Sequence, residues 1–200
     1  MIEVKKNEIK DISLKIKTIV VDPEATDMGE EELLALLKKM MDGENVEKEM
    51  EGIMDEESQS EIELFTEATV TENRDGCIEI AYLENEDDEQ LKTLSKIIFS
   101  KENPSLVIMS KEGAMSAFLS FEEGKTHICT YDTPFMPIKV YVNASLVENK
   151  LLSDGTLKLN YILNLNDCAP QHFAVEVKIK EEPEDILKEL FSWREPFYEK

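Results

Sequence analysis

Residues 120–142, SFEEGKTHICTYDTPFMPIKVYV, and the longer segment 106–165 around them decide the fold. Turn signals at Glu122-Glu123-Gly124 and Ser153-Asp154-Gly155 divide the segment into runs too short for helices, each with the alternating period of a half-buried strand. In the last run Leu157, Leu159, Tyr161, Leu163 and Leu165 share one face, opposite Lys158, Asn160, Ile162 and Asn164. That pattern is a hairpin-linked sheet with a dry side and a wet side.

The same alternation extends both ways. A first strand is predicted over 12–21, where Ile12, Leu14, Ile16, Thr18 and Val20 oppose Ser13, Lys15 and Lys17. Its far end is apolar on both faces because Ile19 and Val21 continue the wet side, so something must cover it. Further strands are expected over 61–70, 77–83, 91–100, 106–110, 114–121, 125–133, 135–147, 156–165 and 172–180. The acidic run 84–89 between two of them reads as a solvated loop. Short connections with no crossover helix make this an antiparallel meander, which either splits into a sandwich or curls until its edges meet; the barrel is preferred because closure removes the exposed edges. The expected fold is therefore mainly β: an antiparallel up-and-down barrel of about eight to ten strands.

Two helical decorations are expected. After the first strand, residues 22–61 carry 15 acidic and 3 basic residues, a charge of -12 against -10 for the rest of the chain. Asp27 and Glu30 are placed as a capping box, and Leu33, Leu34, Leu36, Leu37, Met40 and Met41 form an apolar stripe that Gly43 can end. A weaker stripe follows at Val46, Met50, Ile53 and Met54. Such a stripe either packs on its own domain or docks a partner. Beyond Pro183 a short helix is expected over 184–191, then a tail with Trp193, Phe197 and Tyr198. The chain thus divides into a barrel domain over 1–180, including the 22–61 insertion, and a C-terminal helix and tail over 181–200.

With 200 residues, one such domain can bury a sufficient core without disulfides. The formal net charge of -22 opposes binding to phosphate backbones and to anionic membranes, so neither nucleic acid nor membrane is expected as a partner. Cys77, Cys129 and Cys168 have no CxxC spacing, which fits reduced thiols in a cytoplasmic protein. The first residues lack the apolar core of a signal peptide, and no run approaches a membrane span.

At residues 113–142 and 154–166 the chain resembles the bacterial YwiB-like family. The resemblance is carried by Phe121-Glu122-Glu123-Gly124, by Tyr131-Asp132-Thr133-Pro134-Phe135, and by Gly155-Thr156-Leu157 through Tyr161. It covers residues 12–180, with 22–61 as an elaboration, and departs at Met136-Pro137 and at Lys111. It implies a calycin-like β-barrel of the lipocalin kind, and it implies no activity.

Catalytic motifs are absent from the sequence: there is no HExxH, P-loop, GxSxG or GxGxxG. His127 and Cys129, two apart on one strand, share a face but stand about 6 to 7 Å apart, too far for a direct pair. No catalytic residue, metal ligand or cofactor is expected. A lumen carrying the hydroxyls of Tyr131, Thr133 and Tyr161 among Leu157, Leu159 and Leu163 has the composition of a small-molecule pocket. The function expected is noncatalytic binding of a small apolar or amphipathic molecule in the lumen. The alternative is a protein interaction module built on the acidic insertion.

Overall fold

The computed structural model describes residues 9–21, 29, 32–33, 35–36, 39, 59–73, 75–88, 90–113, 115–165 and 169–180. Ten strands run in chain order: β1 (Ile9–Val21), β2 (Gln59–Glu72), β3 (Cys77–Glu84), β4 (Thr93–Ser100), β5 (Leu106–Glu112), β6 (Ser116–Glu122), β7 (Thr126–Asp132), β8 (Pro137–Lys150), β9 (Thr156–Leu165) and β10 (Gln171–Ile179). Each strand pairs antiparallel with its neighbours in sequence, and β10 returns to β1, so the sheet closes as a barrel. The expected meander, its strand count and its closure are all present.

Alternation decides what faces inward. In β3, Ile78, Ile80 and Tyr82 are buried between half-buried neighbours; in β9, Leu157, Leu159, Tyr161 and Leu163 are buried on the inner side. The wet side carries cross-strand ion pairs, such as Lys15 with Glu63 at 2.6 Å and Lys17 with Glu61 at 2.9 Å. Lys15 bonds Glu63 and holds its carboxyl below the usual range.

The stretch 120–142 shapes one end of this barrel. Gly124, in the β6–β7 turn, adopts φ +73°, a left-handed conformation that glycine takes without a Cβ clash. Its N–H donates to the Ala144 carbonyl at 2.8 Å, and the Val147 N–H donates to the Glu123 carboxylate at 3.2 Å. These bonds reach a bulge in β8, where the pairing slips between Ala144 and Leu146. The bulge bends the long strand so that it serves both β7 and β9. Leu151, buried in the β8–β9 connection, joins the core at the same end.

At the opposite end of β1 the apolar outer face is covered. Ile19, Val21, Leu33 and Ala174 form a small buried cluster outside the lumen. Leu33 donates its N–H to the Gly29 carbonyl at 3.0 Å, and Glu32, Leu33, Ala35, Leu36 and Lys39 have helical backbone. No complete helix is present among the described residues. The rest of the expected 22–61 insertion, including the second stripe at Val46 to Met54, lies outside them, as do the expected helix over 184–191 and the tail.

Candidate functional site

Antiparallel connectivity gives the barrel two unlike ends. The β2–β3, β4–β5, β6–β7 and β8–β9 turns lie at one, the β3–β4, β5–β6, β7–β8 and β9–β10 connections at the other. Inner side chains change along the axis. Ile12 and Leu14 give way to Ile16, Thr18 and Val20 in β1, and Ile78 and Ile80 give way to Tyr82 and Glu84 in β3. Val107 gives way to Met109 and Lys111 in β5.

At this second end the lumen holds a cavity of ≈ 290 Å³. Aliphatic side chains from β1, β2, β5 and β6 line most of it, among them Ile16, Leu64, Met109 and Leu119. Ile62 also faces it yet is 58% exposed, because β1 and β2 pair with each other beyond the last residue of β3 and leave the mouth open there. A second hollow, ≈ 350 Å³, lies over β2 and β3 with Asp11, Glu67 and Glu86 on its walls. It is shallower, so the lumen is the better-formed site.

The polar groups of the cavity fall into two sets. At the mouth, Glu84 is fully engaged: Lys111 donates to its Oε2 at 2.8 Å, and the buried Ser95 hydroxyl donates to its Oε1 at 2.8 Å. Tyr82 sits directly across from Ser95 in the β3–β4 pair. Burial and the Glu84 charge push the Tyr82 phenol well above its ordinary value, with the Ser95 hydrogen bond working weakly the other way. The second set is Tyr131, half-buried and in register through Ala117 with Lys111, and the buried Tyr161. No described residue gives either hydroxyl a hydrogen bond. Burial raises both phenols, Cys129 adds to the effect at Tyr131, and Tyr131 and Tyr82 add to it at Tyr161. All three phenols therefore stay protonated near neutral pH.

Tyr161 is held by rings on two sides. Phe173 stacks on it with centroids 5.0 Å apart and planes 5° from parallel, and Phe121 leans against it at 4.7 Å and 57°. Phe173 lies across the β9–β10 pair from Tyr161, so sheet register alone builds the stack.

Of the six lumen residues expected from sequence, Tyr131 and Tyr161 line the cavity. Leu157, Leu159 and Leu163 face inward but belong to the packed core. Thr133 sits in the β7–β8 turn, where its hydroxyl donates to the Met136 carbonyl at 2.7 Å and accepts from the Met136 N–H at 3.2 Å. Its chemistry is that of a turn, and it does not line the cavity.

Glu84 and Lys111 correct the sequence reading in the other direction. The sequence places Glu84 at the start of a solvated loop and Lys111 in the connection between the strands over 106–110 and 114–121; both are strand residues facing the lumen. The signal was the unbroken parity of Ile78, Ile80, Tyr82 and Glu84, and of Val107, Met109 and Lys111, outweighed by the charge of the residues that follow.

His127 and Cys129 do not form a site with this cavity. Cys129 is buried and its Sγ accepts from the Ser120 N–H at 3.4 Å, while His127 Nε2 lies 3.7 Å from Glu122. Among the described residues no three His, Cys, Asp or Glu side chains gather as a metal site, and no helix is long and apolar enough to cross a membrane.

Comparison with solved structures supports the fold. The crystal structure of the YwiB protein from Bacillus subtilis matches with a TM-score of 0.54 at 12% identity, over 88% of this chain and 96% of that one. No curated protein matches the sequence. A family model described as a domain of unknown function, DUF1934, matches residues 48–177, from shortly before β2 into β10 and without β1. The chain therefore belongs to the DUF1934 family.

Proposed function

We propose that this chain is a noncatalytic, calycin-like barrel of the cytoplasm that holds a small apolar or amphipathic molecule in the open end of its lumen. The observation that carries this reading is the ≈ 290 Å³ cavity with an apolar wall and a few convergent hydroxyls. Ligand sites typically measure about 300–1,000 Å³ and share that wall composition, so the occupant is at the small end of the range. The free thiols of Cys77 and Cys129 suit a reducing compartment.

The test uses the neutral fluorescent probe N-phenyl-1-naphthylamine and a variant that fills the space. Ala117, buried in the cavity wall opposite Tyr131, is replaced by tryptophan. The unchanged chain is expected to bind one probe with a blue-shifted emission. Ala117→Trp, shown by circular dichroism to remain folded, is expected not to bind it. Equal binding by the two proteins would place the probe elsewhere, for instance in the shallow outer hollow, and would overturn the reading.

A further inference from the structure

The charges in this cavity are matched, and the hydroxyls of Tyr131 and Tyr161 are not. Both Glu84 carboxylate oxygens are used, one by Lys111 and one by Ser95, so the described wall offers no spare carboxylate for a cation. Lys111 is the only cation among the described lining residues, and Glu84 already neutralises it. An incoming carboxylate would have to compete with Glu84 for Lys111 and would also meet the repulsive field of a chain with net charge -22. A charged group carried past the mouth, into the apolar wall of Ile16, Leu64 and Leu119, would lose its water without a partner there. Tyr131 and Tyr161, by contrast, present hydroxyls that no described residue engages, in a space that a ligand would dry.

From this we infer that the ligand is an uncharged amphipath: a compact apolar body, the size of a fused pair of rings, bearing one alcohol, phenol or carbonyl oxygen that bonds the Tyr131 and Tyr161 hydroxyls. The assignment rests on the lumen-binding reading and narrows it to a chemical class. The body lies against Met109 and Leu119, where flexible and branched side chains adapt to its outline. The oxygen lies between the two phenols. Because the Glu84–Lys111 pair is closed, it serves as a charge filter at the mouth: it contributes little affinity, and it excludes fatty-acid-like anions and amines.

Four probes with a common body separate the possibilities: 2-naphthalenemethanol, 2-naphthoate, 2-naphthylmethylammonium and 2-methylnaphthalene, each competed against N-phenyl-1-naphthylamine at pH 7. The alcohol is expected to bind about tenfold more tightly than either ion. It should also exceed the hydrocarbon, an advantage that the double variant Tyr131→Phe/Tyr161→Phe removes without weakening the hydrocarbon itself. Glu84→Gln is expected to raise naphthoate affinity about tenfold by releasing Lys111, leaving the alcohol nearly unchanged. Lys111→Met, a second variant in case the first does not fold, is expected to favour the ammonium probe instead. Naphthoate as the tightest ligand of the unchanged chain, or an unchanged order of affinities in both charge variants, overturns this inference while leaving lumen binding intact. Failure of all four probes and of N-phenyl-1-naphthylamine to bind overturns the lumen reading and the inference with it.

Discussion

At one end of the lumen Leu14, Ile80, Ile97, Phe121 and Leu157 meet on the barrel axis as continuous core; at the other Thr18, Tyr82, Lys111, Tyr131 and Tyr161 surround a cavity of ≈ 290 Å³. The same strands, with the same alternation, supply both. What differs is side-chain shape and polarity two to four residues further along each strand. Aliphatic groups interdigitate to crystal-like density, whereas phenols, an ion pair and the small Ala117 do not. Cohesion thus concentrates where the β6–β7 turn and Leu151 close the barrel, leaving the open end free to carry polar groups that a packed core would exclude.

The largest expected effect tests that division by truncation. Phe121 is fully buried and touches the Tyr161 ring, so Phe121→Ala should cost about 3–5 kcal/mol in urea unfolding. Leu119→Ala, two residues away on the same face but on the cavity wall, removes a side chain already bordering empty space. It should cost clearly less, near the lower limit of about 2 kcal/mol for buried leucines. Equal losses at the two positions would mean that the open end is as tightly packed as the closed one.

Alkaline titration gives the next effect, and it belongs to the open end alone. Tyr82, Tyr131 and Tyr161 are all raised, first by burial. A phenol raised in the folded state binds its proton more tightly there than in the unfolded chain. Its stabilising contribution is therefore complete below the unfolded value of about 10 and is lost as pH rises above it. Each phenol should steepen that loss by up to about 1.4 kcal/mol per pH unit. Tyr161→Phe should flatten the fall measured above pH 10, while Phe121→Leu, at the packed end, should lower the whole curve and keep its slope. A Tyr161→Phe protein with an unaltered slope would show that this phenol ionises without unfolding the chain.

The contrast between the ends also explains what could be read from sequence. Strand order, turns and closure were legible because alternation and the Gly124 and Gly155 turn signals are local, and each inward leucine of β9 announces its face by parity. The apolar outer face at Ile19 and Val21 was legible too, as a demand for cover, and Leu33 meets it for the part described. The cavity was less legible. Whether inward residues fill the axis or leave space depends on which ones share a level of the barrel. That is fixed by register accumulated over successive hairpins, such as Tyr82 with Ser95 and Ser95 with Lys111, which the pattern of any single strand does not give. Thr133 was misplaced because one residue past the strand end the chain turns and parity stops applying. Glu84 and Lys111 were passed over because charge at a strand end ordinarily signals solvent.

The smallest effect is the sharpest test of what the open end is for. A hydroxyl that holds a core together leaves an orphaned partner when removed, at a cost of about 1–3 kcal/mol. The Tyr161 hydroxyl has no partner among the described residues, and its ring is already secured by Phe121 and Phe173. Tyr161→Phe keeps both ring contacts and exchanges a polar atom for hydrogen in an apolar surround. Stability at pH 7 should therefore change by less than about 1 kcal/mol, toward the stabilised side if at all. A folded chain that tolerates this change gains nothing structural from the hydroxyl, which leaves recognition as its physical use. A loss above about 2 kcal/mol would instead make Tyr161 part of the packed end's cohesion and shift the boundary between the two ends toward the mouth.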